Sequence, residues 1–216
     1  MTAPRQPTGE PSPSHPSAAP PEPRQNPSAA RRPKLPRLTV VSGPTAVGKG
    51  TVVTRLRQLH PKIFVSVSVT TRPPRPGEVE GVHYLFVSEA RFDELIATGA
   101  LLEWAVVHGR HRYGTPREPV VRALAAGRPA LLEIDLQGAR QVRQAWPDAQ
   151  FVFLAPPSWE ELIRRQVGRG TESVDEQDRR LRTAREELAA QEEFNHVIEN
   201  REIGQAVEEL VSLVCL

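Results

Sequence analysis

The chain has 216 residues, 25% of them charged and 38% hydrophobic, which suits one α/β domain with a substantial core and is too short for two of ordinary size. Its formal charge is +2, yet residues 1–37 carry six Lys/Arg against two Asp/Glu, so the remainder stands at −2 and lacks the basic footprint of a nucleic-acid-binding domain. The single cysteine, Cys215, excludes an intramolecular disulfide, no apolar run reaches the length of a membrane span, and no apolar signal region opens the chain, so the expected compartment is the cytoplasm.

Residues 1–36 hold 11 of the 22 prolines and show no apolar periodicity, which predicts a disordered Pro-rich tail that acts as a solvated linker or terminal extension, with contact to nucleic acid or an acidic surface as the alternative. Regular structure is expected from Arg37. Leu38-Thr39-Val40-Val41 reads as a buried strand that stops at Ser42-Gly43, and Val52, Val53, Leu56 and Leu59 give Thr51 to Leu59 the spacing of a helix. The next stretch has a different texture: Val65 to Val69, Val82 to Val87 and Leu101 to Val107 read as short strands around a Ser88-capped helix that ends at Gly99. Two continuous apolar strands, Ala130 to Ile134 and Gln150 to Leu154, flank a helix from Gln137 to Trp146 and predict a parallel sheet. Capping boxes at Ser158-x-x-Glu161 and Ser173-x-x-Glu176 open two helices around the turn Gly168-Arg169-Gly170. A strand at His196 to Ile198 and a helix from Ile203 to Leu213 complete the order.

Gly43-Pro44-Thr45-Ala46-Val47-Gly48-Lys49 is a G-x-x-x-x-G-K loop placed after a strand and before a helix. Consecutive backbone N–H groups and the helix N-terminus can cradle phosphates there, with the lysine reaching the outer ones. The next residue is Gly50, where the usual Ser/Thr would ligate Mg²⁺, and Thr51 follows one position late. Adenylate kinases resemble the chain at this point, with G-K-G-T in their loops. We therefore expect Mg²⁺ to be held by nucleotide phosphates and water, with Thr51 on the α-phosphate. The predicted ATP contacts are Gly43, Pro44, Thr45, Ala46, Val47, Gly48, Lys49, Gly50 and Thr51.

Ser66 to Glu78 places Arg72 and Arg75 on a proline-stiffened loop preceded by hydroxyls, in the order T-T-R-P-P-R-P-G-E, followed by Gly81-Val82-His83-Tyr84. Taken by themselves, the arginines fit solvated loop charges as well as phosphate forks, and Glu103 fits the polar face of a half-buried strand. The whole pattern closely resembles guanylate kinases. The resemblance extends through Leu102-Glu103-Trp104-Ala105, Tyr113-Gly114-Thr115, Glu133 to Gly138, Ala155-Pro156-Pro157-Ser158 and Gly168 to Glu172, and covers about residues 38 to 213. It implies a P-loop NTPase core of parallel sheet and flanking helices (37–67, 117–157 and 191–216), an inserted GMP-binding α/β subdomain (68–116) and a helical lid (158–190).

The resemblance further implies transfer of the γ-phosphoryl group of ATP to GMP with Mg²⁺. It puts Arg72, Arg75, Tyr84 and Tyr113 on the GMP phosphate, and Ser68, Glu103, Thr115 and Asp135 near guanine. Lys49, Arg72, Arg165, Arg169 and Arg180 would neutralise the transferring group, and Asp135 could reach Mg²⁺ through water. The segment His108 to Tyr113 departs from the family by one extra residue and by Arg112 in place of a second aromatic. The alternatives are a guanylate kinase-like protein-binding module and an AMP-specific kinase. Lys49 with both loop arginines argues against the first, Glu103 with Ser68 against the second. No membrane partner is implied, and the oligomeric state is left open.

Overall fold

A computed structural model describes Met1 and residues 37–107, 110–167 and 174–215, with only the backbone of 167 and 174–180. The expectation for the tail therefore lies outside the described residues.

Strand β1, Leu38–Ser42, is buried at every position because both faces of its sheet are covered. It pairs in parallel with β7, Ala130–Glu133, on one side and with β8, Gln150–Ala155, on the other. The edges are β2, Phe64–Val65, and β9, His196–Glu199, so the order is β2-β7-β1-β8-β9, all parallel. Strand pleating sends successive side chains to opposite faces. Val41 accordingly packs with α1, Lys49–Leu59, and α7, Ile203–Val214, through Val52, Leu56 and Leu210. Val40 packs on the other face, with Val142 of α4, Leu136–Ala145, and Val120 of α3, Arg117–Ala125.

A second sheet has the order β4-β3-β6-β5, from Leu85–Phe86, Val69–Thr70, His111–Pro116 and Leu101–Val107. Helix α2, Glu89–Ala97, lies against it through the fully buried Phe92. Arg112 is pinned to this helix, with its guanidinium 4.7 Å from the Phe92 ring and bonded to Asp93 and Glu89. The edge strand β5 is closed by a side chain of the main body: Gln141 donates to Trp104 O at 2.7 Å and accepts from Trp104 N at 3.2 Å, taking up peptide groups that an edge strand otherwise leaves open. Helices α5, Trp159–Val167, and α6, Val174–Ala189, precede a 3-10 turn at Ala190–Glu193.

Two expectations change, and one helix is added. Val65 to Val69 is not one strand: Val65 pairs with Leu131 in the first sheet and Val69 with Gly114 and Leu85 in the second, so the chain crosses between sheets at 66–68. Only Leu85–Phe86 of the run from Val82 to Val87 is strand, and Tyr84 forms an isolated bridge to Glu80. Helix α3 occupies a stretch to which the sequence analysis assigns no element; Pro116 precedes it and Pro119 lies in its first turn, where proline is tolerated.

Candidate active site

The loop between β1 and α1 lies at the carboxyl ends of parallel strands, the position where open α/β sheets present their ligand crevice. Gly43 is required by packing: a Cβ there would stand 2.2 Å from Leu154 O on β8, in addition to its φ of 149°. Gly48 caps α1 in the left-handed region with φ 99°, and no side chain caps the helix, which leaves its first N–H groups for a ligand. Lys49 Nζ folds back onto Gly43 O and, at 3.2 Å, Pro44 O, spanning the loop it belongs to. Gly50 and Thr51 are exposed in the first turn.

The loop is braced from behind. Val47 O accepts from Asn200 Nδ2 at 2.8 Å and from Arg165 Nη1 at 3.2 Å, while Arg165 Nε donates to Glu161 at 2.8 Å. Arg165 is therefore tied directly to the backbone of the phosphate loop. Arg169 lies outside the described residues, and of Arg180 only the helical backbone is described.

On the second sheet, β5 and β6 are in a register that pairs Glu103 with Thr115 and Ala105 with Tyr113. Glu103, Thr115 and Tyr113 thus share one face, whereas Arg112 turns to the other, toward α2. Thr115 Oγ1 donates to Glu103 Oε1 at 2.6 Å, and both residues are buried. Burial pushes the Glu103 carboxyl up to about 7, the Asp135 charge adds to the rise, and the Thr115 hydroxyl opposes it. Gly138 makes room for this carboxylate, since a Cβ would fall 2.4 Å from Glu103 Oε2. Asp135 caps α4, accepting from Gly138 N at 2.8 Å, which occupies one oxygen; the other has no hydrogen-bond partner among the described residues. Ser68 is half-buried where the chain crosses between the sheets.

One strand repeat further, about 7 Å along β6, Tyr113 meets the arginine loop. Arg72 is only 7% exposed, and its Nε donates to Tyr113 Oη at 3.0 Å. Its two terminal nitrogens donate to Glu78 at 2.9 Å each, and Nη1 also donates to Pro73 O at 2.7 Å. Four of the five guanidinium hydrogens are thus committed, and the one remaining on Nη2 has no partner among the described residues. Tyr84 stacks below, 5.4 Å from the guanidinium and 5.7 Å from the Tyr113 ring, and burial pushes its hydroxyl up to about 12. Arg75 differs: its backbone N–H donates to Glu78 at 2.7 Å, but its guanidinium is exposed and unbonded among the described residues.

Three residues of this site escaped the sequence reading as participants. Glu78, read only as the end of a signature, is the anchor of Arg72 and of the Arg75 backbone, and Arg72 in turn holds its carboxyl below the usual range. Glu133, at the end of β7, is a half-buried residue whose carboxyl pKa is raised by desolvation while Lys49 and Arg57 pull it down; it also lies within the electrostatic reach of Tyr84. Its signal was a charge closing an apolar strand. Glu187 of α6 accepts from Thr45 N at 3.1 Å, a contact across 142 positions for which the sequence carried no sign.

No group of three metal-ligating side chains exists among the described residues. Glu133 beside Lys49, and the open oxygen of Asp135, nonetheless fit the one or two carboxylates that typically support a Mg²⁺ shared with phosphates and water. Among the described residues no helix is long and apolar enough to cross a membrane.

The comparisons agree with this geometry. The family model described as guanylate kinase matches residues 35–215. A guanylate kinase of Thermobifida fusca (strain YX) is 61% identical over 178 residues, 82% of this chain and 90% of that protein. One of Mycobacterium sp. (strain MCS) is 60% identical over 179 residues, with 82% and 90% covered. The crystal structure of guanylate kinase from Anaplasma phagocytophilum superposes with a TM-score of 0.69 at 32% identity, covering 84% of this chain and 85% of that one. A match across nearly all of the described chain, with a relative 61% identical over 178 residues, means that this chain belongs to the guanylate kinase family.

Proposed function

We propose that the chain transfers the γ-phosphoryl group of ATP to GMP, giving ADP and GDP, in the cytoplasm. The observation that carries the acceptor assignment is the Glu103–Thr115 pair, a buried carboxylate on the same strand face as Tyr113, to which Arg72 is bonded. Guanine presents N1–H and N2–H₂ side by side, and an ionised Glu103 accepts both. Adenine offers no such pair, so AMP would leave the carboxylate desolvated and unpaired. Ser68, Thr115 and the open oxygen of Asp135 complete the base site.

The acceptor phosphate takes the remaining Arg72 N–H, the free fork of Arg75 and the hydroxyls of Tyr84 and Tyr113. The amides of residues 43 to 51 and Lys49 hold the ATP phosphates, with Thr51 at the α-phosphate. The reaction needs no general base, since the attacking GMP oxygen is already anionic. Catalysis is alignment and charge neutralisation, to which Lys49 and Arg72 contribute, with Arg165, Arg169 and Arg180 on the 158–190 lid. Mg²⁺, bound through the phosphates and water with Glu133 and Asp135 as supporting carboxylates, would neutralise charge on the donor phosphates. We read residues 37–67, 117–157 and 191–216 as core and 68–116 as the GMP subdomain.

A coupled assay that offers ATP, Mg²⁺ and each nucleoside monophosphate in turn tests the proposal. GDP from GMP, with AMP a poor substrate, is the expected result. An enzyme that binds both nucleotides and yields no GDP would remove the proposal.

A further inference from the structure

Ala46 is the only non-glycine among the described residues with a left-handed backbone, φ 69°. A residue with a Cβ disfavours that conformation and keeps it only where its surroundings over-determine it. Both of its neighbours are pinned from outside the loop. The Thr45 peptide is gripped from two helices: its N–H donates to Glu187 Oε2 on α6 at 3.1 Å, and Gln166 Nε2 on α5 donates to its carbonyl at 3.3 Å. On the other side Val47 O accepts from Asn200 and Arg165, and Val47 N–H closes a turn onto Pro44 O at 3.2 Å. Gln166 and Glu187 are both buried, which is costly for polar groups unless their bonds matter to the fold around them. The proposed reaction makes no use of either.

We infer that Glu187 and Gln166 are positioning residues for the donor site, clamping the Thr45 peptide so that Ala46 stays left-handed and the N–H groups that follow converge on the ATP phosphates. The inference rests on the reading of this loop as the ATP site. The clamp acts through hydrogen bonding: Glu187 serves as an acceptor, and its charge is not required. It is expected to act chiefly on the donor side, because among the described residues the hydrogen bonds of Glu187 and Gln166 run to Thr45 and none to the Arg72 pocket.

The test is a cycle of variants read by ATP affinity in titration calorimetry without GMP, and by separate KM values for ATP and GMP. Glu187→Ala is expected to weaken ATP binding and raise KM for ATP about tenfold, leaving KM for GMP within twofold of the starting protein. Glu187→Gln keeps an acceptor and is expected to stay within threefold. In an Ala46→Gly background, where the left-handed conformation is free of Cβ strain, the same Glu187→Ala change should cost threefold or less. An equal cost in both backgrounds, or a parallel rise in KM for GMP, overturns the inference. Should Glu187→Ala not melt cooperatively, Gln166→Ala removes the other jaw with Glu187 in place; unchanged ATP affinity there overturns it equally. An unmodified protein that binds ATP and forms no GDP contradicts the proposed function, while the ATP-affinity cycle still decides the clamp.

Discussion

The two proposed nucleotide sites are built from opposite materials. The donor loop is a continuous run of backbone, Gly43 to Lys49, whose own lysine folds back across it; its φ angles and close packing on Leu154 set its course, and side chains from outside the loop brace it. The acceptor pocket has no such local logic: Arg72 and Glu78 come from one loop, Tyr84 from its far end, Glu103 from β5, and Tyr113 and Thr115 from β6. Its geometry is set by strand register and by side-chain bonds. A backbone cradle recognises phosphate in general, whereas the side-chain pocket can distinguish one base from another. Damage to the first should therefore suppress the reaction for every acceptor, and damage to the second should change selectivity or acceptor affinity.

Lys49→Ala breaks the comparison on the donor side and carries the largest expected effect, a fall in kcat of about 10³-fold with the fold intact. A rise confined to KM for GMP would mean that donor and acceptor sites have been interchanged.

Within the pocket, the two arginines separate by their surroundings. Arg72 is buried and its fork is occupied by Glu78, whereas the Arg75 guanidinium is exposed. Glu78→Ala leaves a buried guanidinium without its countercharge and should cost about 3 kcal/mol of stability in denaturant unfolding, with a higher KM for GMP. Arg75→Ala should leave stability unchanged and chiefly raise KM for GMP, about tenfold. Equal losses of stability in the two variants would contradict the division.

The base site should respond to pH. With Glu103 held up to about 7, the ionised form that accepts from guanine is depleted as pH falls through neutrality, so kcat/KM for GMP should drop with an inflection near pH 7. The Thr115 hydroxyl opposes the rise, so Thr115→Val should move that inflection upward, which titration of the GMP phosphate itself would not do. Linkage has the converse sign for stability. A carboxyl whose folded pKa is raised favours the folded state fully below its unfolded value near 4.5, and that contribution is lost as pH rises to about 7. Glu103→Gln should thus gain thermal stability over the unmodified protein from acid pH toward pH 8 while losing guanine selectivity. A constant difference across that range would place the carboxylate in a more polar setting than its burial implies.

The same contrast explains what was legible in the sequence. The β1, loop and α1 unit could be read because every signal in it is local, from the apolar run at Leu38 to the spacing of Val52 and Leu56, although α1 begins at Lys49 because Gly48 caps it without a side-chain signal. The arginine loop could be named from its signature, yet the role of Glu78 could not, since nothing local says that a carboxylate fills the fork of Arg72. Glu103 was recognisable by resemblance, whereas the need for Gly138 beneath it depends on how α4 approaches β5. The split of 65–69 between two sheets was hidden because a short β-branched run looks the same whichever partner it finds. Arg112, an apparent anomaly beside Tyr113, is explained by strand alternation: it serves the back of the sheet.

The most direct measurement is the ratio of kcat/KM for GMP to that for AMP, with ATP and Mg²⁺, in the unmodified protein and in Glu103→Gln. The account predicts a preference for GMP above about 10³, as expected of a site whose buried polar group goes unpaired with the wrong base, and its collapse in the variant. A preference that survives the loss of the carboxylate, or GMP and AMP phosphorylated at equal rates from the start, would contradict it.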